Sequence, residues 1–273
     1  MKVAILGFGI EGKSALKYWQ TQGAEIIICD SNANAQVPDG IATKLGPDYL
    51  LDLDQFDLIV RSPGIKPSDV NTTKPITSVT REFMAKCPAK IIGVTGTKGK
   101  GTTSSLIAQM LMKAGKKVWL GGNIGLPALD LLDQAQANDI VVLELSSFQL
   151  MDATQSPQIA VMLMLAADHL NYHDNLEEYH QAKANIFRYQ NSDDLAVYNV
   201  NDPNTSKLVE LSPARHLAYG NQTGAYVSEN EILFQDHKIC PISEVGLIGP
   251  HNLDNVCAAV AATWGIIHDP VTM

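Results

Sequence analysis

The sequence predicts a two-domain α/β protein, and three observations carry that expectation. A strand, a glycine-rich turn and a helix follow one another twice, once over residues 3–19 and again over residues 91–112. From residue 90 onward apolar runs keep alternating with helical patterns, which implies a mostly parallel sheet with right-handed crossovers. At 273 residues, 45% of them apolar, the chain is long enough for two ordinary buried cores.

Residues 3–6 form a short apolar strand. Gly7-Phe8-Gly9-Ile10-Glu11-Gly12 then opens a helix with Ala15, Leu16 and Trp19 on one face. A second strand, residues 25–29, ends in Asp30, so the stretch imitates a dinucleotide fingerprint with its acidic ribose partner. The same turn lets any nucleotide diphosphate approach the helix end, and nucleotide-sugar binding is preferred to nicotinamide binding. Residues 57–60 are another strand, closed by Arg61-Ser62-Pro63-Gly64. A glycine turn at the carboxyl end of a parallel strand sits where ligands bind in open sheets, although a plain strand-ending turn has the same spacing. Residues 80–87 read as a short helix, and Pro88 divides a domain of residues 1–88 from one of residues 89–273.

The second domain is organised around Gly93-Val94-Thr95-Gly96-Thr97-Lys98-Gly99-Lys100-Gly101-Thr102-Thr103. Gly96, Gly99 and Gly101 let backbone N–H groups turn inward around a phosphate chain, and the following helix, residues 104–112, adds its positive end. Lys100 supplies a point charge for terminal phosphates and Thr102 or Thr103 a hydroxyl for magnesium. The standard phosphate-loop spacing places a glycine and a hydroxyl residue where this chain has Val94 and Gly101.

A strand at 117–120, the turn Gly121-Gly122-Asn123-Ile124-Gly125 and a helix over 127–132 come next. Residues 139–147 form a buried strand interrupted by Glu144, whose carboxylate requires a cation or donors: magnesium, or a salt bridge. The strand at 158–165 delivers Asp168-His169, which reads either as a metal-holding pair or as a capping Asp beside a surface His. In the helix over 176–189, Lys183 lies beside an apolar stripe of Tyr179, Ala182, Ile186 and Phe187. Its amine either snorkels to solvent or, if desolvated, loses basicity and becomes able to form a carbamate with carbon dioxide. A strand at 195–199 precedes a turn at Asn201-Asp202-Pro203, and residues 218–242 read as β-hairpins appended to the sheet. A long helix starts near Gly249-Pro250-His251-Asn252. On it Asn252 and Asn255 share a face, fit to cap the helix or to pair with adenine.

The net charge of −9, with lysines scattered, argues against a nucleic-acid partner. Cys29, Cys87, Cys240 and Cys257 lack short paired spacing and read as reduced thiols. The apolar start is too short for a signal peptide and the run at 159–167 too short for a membrane span, so a soluble cytoplasmic protein is expected.

Taken together the stretches resemble the Mur ligase family, ATP-dependent amide-forming enzymes of peptidoglycan precursor synthesis. Its most specific pieces are residues 96–100, 121–129 and 143–150. Asp168-His169, Tyr179-x-x-Ala182-Lys183 and His251-Asn252-x-x-Asn255 follow in the family's order. Residues 143–150 are typical of the members that add D-glutamate to UDP-N-acetylmuramoyl-L-alanine. The resemblance implies a Rossmann-like N-terminal domain that binds the UDP substrate, a P-loop ATPase-type central domain, ATP and two magnesium ions, with a monomer expected. Residues 96–103, namely Gly96, Thr97, Lys98, Gly99, Lys100, Gly101, Thr102 and Thr103, would hold ATP phosphates, and Asn252 and Asn255 adenine. Thr102 or Thr103, with Glu144, would hold the first magnesium, Gly101 shifting the hydroxyl to Thr102, and His169 with a carbamylated Lys183 the second. Ile10, Glu11, Asp30, Ser31 and Gly64 would hold the uridine diphosphate, and Asn123 the amino-sugar portion. Gly101 is closer to the related folylpolyglutamate synthases, which keeps a folate ligase as one alternative and a non-catalytic nucleotide-sugar-binding module as another. Family members carry a third, amino-acid-binding domain, and the expectation is that residues 1–273 comprise only the first two and do not turn over alone.

Overall fold

A computed structural model describes all 273 residues and divides them into two compact units. The first unit comprises residues 1–86 with residues 127–134, and the second residues 87–126 with residues 135–273.

The first unit runs β1 (Lys2–Leu6), α1 (Ile10–Thr21), β2 (Glu25–Asp30), β3 (Ala42–Leu45), β4 (Leu58–Arg61), β5 (Ile76–Thr77) and α2 (Val79–Lys86). Its sheet has the order β3-β2-β1-β4-β5, with every pairing parallel. Val3 to Leu6 are fully buried, the unbroken apolar pattern of a strand covered on both faces. α1 buries Ala15, Leu16 and Trp19, the face its periodicity predicts. Chain order reverses at β1, whose neighbours are β2 and β4, so the glycine loop after β1 and the turn after β4 flank a topological switch point.

The helix expected over 127–132 is instead a four-residue 3₁₀ turn, Ala128–Leu131. Burial of Leu129 and Leu131 holds it, with Ser14 Oγ donating to Asp130 Oδ1 at 2.8 Å, which makes it part of the first unit. β3 and β5 carry no periodic signal: β3 is a half-exposed edge strand and β5 is two residues long.

The second unit runs β6 (Lys90–Thr95), α3 (Lys100–Lys113), β7 (Val118–Gly122), β8 (Ile140–Glu144), α4 (Ser147–Leu150), β9 (Ile159–Met162), α5 (Leu176–Arg188), β10 (Leu195–Asn199), α6 (Pro203–Leu208), β11 (Arg215–Tyr219), β12 (Ala225–Ser228), β13 (Glu231–Phe234), β14 (His237–Pro241) and α7 (His251–Ile267). The sheet order is β14-β13-β12-β11-β10-β9-β6-β8-β7. From β7 to β11 every pairing is parallel. Alternate residues Ile92 and Val94, Ile140 and Val142, Ile159 and Val161 join the core under α3 and α7. α5 lies over β6 and β9.

Two expectations change here. β11 meets β12 through one parallel pair, Tyr219 and Ala225, so the Asn221–Gly224 turn does not close a hairpin. Antiparallel pairing begins at β12–β13, where Glu229 and Asn230 take positive φ (48° and 64°), the backbone of a tight hairpin turn, and continues in β13–β14. The turn after β10 also starts a short helix: Asp202 caps α6 by accepting from Asn204 N, with Pro203 in its first turn. No helix is long and apolar enough to cross a membrane.

Candidate active site

In the second unit chain order reverses at β6, flanked by β8 and β9, and the glycine-rich loop leaves β6 at this point. Gly99, the residue before α3, has φ +85°, and the Asn255 carboxamide oxygen occupies the space its Cβ would need. No side chain caps α3, so its first-turn N–H groups, which have no intrahelical acceptor, face the loop. Such an uncapped helix start suits an anion.

Two ammonium groups converge on the loop. Lys100 Nζ donates to the carbonyls of Gly96 (3.2 Å) and Thr97 (3.1 Å). Lys183 Nζ donates to the same Gly96 carbonyl at 2.8 Å, with Thr95 Oγ1 at 3.4 Å and the Tyr179 ring 4.8 Å away. Lys183 is 2% exposed, which removes the snorkelling reading. Burial first, and then repulsion from Lys100, lowers its pKa to about 7, against opposition from Asp168 and Glu144. Burial also lowers that of Lys100.

Glu144 ends β8 and is 3% exposed. Its Oε1 accepts from Asn123 Nδ2 at 2.7 Å, while its buried Oε2 has no hydrogen-bond partner. A Cβ on Gly101 would lie 3.1 Å from that Oε2, so the glycine keeps the space beside the carboxylate open. Thr103 Oγ1 donates to Asn255 Oδ1 (3.3 Å) and is fully buried. Thr102, only partly buried, is then the hydroxyl still available. An orphaned carboxylate oxygen beside the start of α3, whose first turn carries an uncommitted hydroxyl, fits one magnesium ion. A second is harder to fit: no group of three or more His, Cys, Asp or Glu is assembled, and Lys183 is a donor unless it carries an anionic carbamate.

His169 has φ +54° and a half-exposed ring, 4.9 Å from Phe148 and 6.4 Å from Tyr179, with Nε2 3.6 Å from Asp168 Oδ2. Tyr179 OH is 2.9 Å from Thr97 Oγ1, which accepts from Ala166 N. That ties the loop after β6, the segment after β9, and α5 together. Asn255 Nδ2 donates to Asn252 Oδ1 (3.0 Å) and Asn252 Nδ2 to the Ile248 carbonyl (2.7 Å). The asparagine pair therefore braces the loop, and only Asn255 lines the adjoining cavity of about 410 Å³. Lys98, Asn199, Tyr219 and Asp254 also line it. Sequence reasoning had no signal for Asp254 or Tyr219, but Asn199 and Tyr219 end parallel strands, where such cavities form.

In the first unit the Asp30 carboxylate accepts from Phe8 N (2.6 Å) and Asn32 N (2.7 Å), shaping the glycine loop and the start of the loop after β2. Ile10, at the start of α1, is 75% exposed; Glu11 stands beside it in the first turn, and Ser31 and Gly64 lie exposed beyond β2 and β4. These residues share the carboxyl edge of one parallel sheet.

Residues 94–263 match the family model described as the Mur ligase middle domain, and residues 1–79 the Mur ligase MurD-like N-terminal domain. The UDP-N-acetylmuramoylalanine–D-glutamate ligase of Clostridium kluyveri is 35% identical over 96% of this chain, which spans 61% of that relative's length. Among solved structures, the UDP-N-acetylmuramate:L-alanyl-gamma-D-glutamyl-meso-diaminopimelate ligase from Neisseria meningitides superposes with TM-score 0.68 at 21% identity, covering 99% of this chain and 95% of that one. FolC from E. coli, in complex with DHPP and ADP, covers 67% of this chain and 55% of its own at TM-score 0.50 and 21% identity. These two share the fold, and the domain models, which together take in most of the sequence, establish that the chain belongs to the Mur ligase family.

Proposed function

We propose that the chain carries the nucleotide- and UDP-substrate-handling units of an ATP-dependent ligase that adds D-glutamate to UDP-N-acetylmuramoyl-L-alanine. The observation that carries the proposal is the buried, unpartnered Glu144 Oε2 beside an uncapped helix start and Lys100. That arrangement suits a magnesium nucleotide, and the 35% identity to a D-glutamate ligase supplies the substrate class.

A carboxylate is a poor electrophile and repels ATP. In the proposed reaction a carboxylate oxygen of the UDP-linked substrate attacks the γ-phosphorus, and the bond to the β,γ-bridging oxygen breaks, releasing ADP. The amine of D-glutamate then attacks the acyl carbon, inorganic phosphate leaves, and the nitrogen gives up a proton. The loop amides and Lys100 hold the phosphates in place. Thr102 and Glu144 would hold one magnesium, and His169 with carbamylated Lys183 a second. Bound there, magnesium offsets the charge of the phosphoryl group in flight. Tyr179 and Thr97 keep α5, and so Lys183, against the loop. In a chain of net charge −9 such local cations are needed to hold two polyanions.

Calorimetric titration tests this directly. UDP-N-acetylmuramoyl-L-alanine and magnesium ADP should each bind, and Lys100→Ala should abolish only the second. No binding of the UDP substrate would overturn the proposal, and preferential binding of a folate would support the ligase alternative suggested by Gly101.

A further inference from the structure

We propose that Arg61 is a positioning residue that shapes the diphosphate-binding backbone of the first unit without touching the ligand; this rests on the UDP-substrate reading above. Arg61 is the last residue of β4 and is 1% exposed, among the largest fully buried side chains. A guanidinium so placed must be surrounded by acceptors, because burying its charge without them is costly. Its Nη1 donates to the carbonyls of Ser62 (3.3 Å), Pro63 (3.5 Å) and Ile65 (2.5 Å). All three belong to the turn that leaves β4 at the switch point.

The consequence lies on the other side of the turn. With these carbonyls drawn inward to the guanidinium, Ile65 N–H donates back to the Ser62 carbonyl, while the Gly64 N–H has no acceptor within the protein. Gly64 is exposed, and the space beside its Cα is open, with nothing within 4 Å of where a side chain would start. Ser62 extends the brace across the crevice: its Oγ donates to the Gly7 carbonyl (2.9 Å) and its N–H to that of Leu6 (2.9 Å). Asp30 holds Phe8 N from the opposite side. The glycine loop is thus tied to β2 by Asp30 and to the β4 turn by Ser62, and the turn is held from beneath by Arg61. An unspent amide on a fixed turn that is tied to a fixed glycine loop can serve an anion. Arg61 directs that amide through three backbone carbonyls.

The role separates from simple stabilisation by comparing UDP with uridine, because only the diphosphate uses the amides. In the wild-type chain UDP should bind at least tenfold more tightly than uridine. Arg61→Met should cut that ratio to twofold or less while magnesium ADP binding in the second unit is unchanged, and Arg61→Lys, which keeps a donor, should retain an intermediate ratio. If Arg61→Met does not fold, the Arg61→Lys ratio carries the test. A wild-type ratio near one would overturn the diphosphate reading itself. An unchanged ratio in either folded variant, with UDP still bound, would overturn the role of Arg61 alone.

Discussion

Lys183 Nζ lies 2.8 Å from the carbonyl oxygen of Gly96, a residue 87 positions earlier, and Lys100 Nζ reaches the same oxygen at 3.2 Å. Burial of the Lys183 ammonium, and then repulsion from Lys100 at the shared acceptor, favours loss of its proton, and Lys183 falls to about 7. In the unfolded chain its ordinary value is 10.5. Between these values the unfolded state holds a proton the folded state has released, so stability rises with pH across the window. The cost of the charged form is fully present below about 7. Urea unfolding at pH 7 and pH 9 should show the wild type gaining on Lys183→Met, by at most about 1.4 kcal/mol per pH unit. A difference that does not change with pH would mean that the amine stays charged.

A neutral amine is also the form that reacts with carbon dioxide. Chain incubated with ¹³C-bicarbonate at pH 8 should give a carbamate carbonyl resonance, absent in Lys183→Met. A spectrum without that resonance in the wild type would leave Lys183 as an unmodified amine and overturn its role as a metal ligand.

Thr102 and Thr103 should separate cleanly. Thr103→Val removes the buried hydrogen bond to Asn255 and should cost about 1–2 kcal/mol of stability. Thr102→Val should leave stability within about 0.5 kcal/mol and weaken magnesium-dependent ADP binding roughly tenfold. Thermal unfolding and calorimetry read the two effects, and the reverse pattern would transfer the metal hydroxyl to Thr103.

Asn123→Ala leaves both Glu144 oxygens without donors, at a cost of about 1–3 kcal/mol. If Glu144 holds magnesium, magnesium ADP should raise the melting temperature of this variant more than that of the wild type. Equal shifts would place the ion elsewhere.

Gly99→Ala meets the Asn255 carboxamide and a left-handed backbone together. The expected loss exceeds about 2 kcal/mol, together with nucleotide binding. A variant that melts like the wild type would show that the loop relaxes freely.

The repeated strand–glycine turn–helix units were legible because their requirements are local: apolar runs, small residues at tight turns, and a helix start. The first glycine loop, residues 93–103 and the strand ending at Glu144 could all be placed on elements without coordinates. The 127–134 segment could not, since its helical composition is overridden by burial of Leu129 and Leu131 in a unit whose other residues end at Lys86. Nor could the Asn221–Gly224 turn, whose residues suit a hairpin but join parallel strands.

For the site, residue types and spacing determined that a glycine-rich loop joins a strand to a helix, that Lys100 stands at that junction, and that Glu144 lies on a strand and Lys183 on a helix. Whether Lys183 snorkels, which threonine is free, and that Asn255 braces Gly99 were decided only by tertiary structure. Those outcomes depend on burial and on contacts between residues tens of positions apart, such as Thr103 with Asn255 and Lys183 with Gly96. Arg61 illustrates the same limit: at the end of an apolar strand its sequence context shows a charge, and only the fold turns three carbonyls toward it.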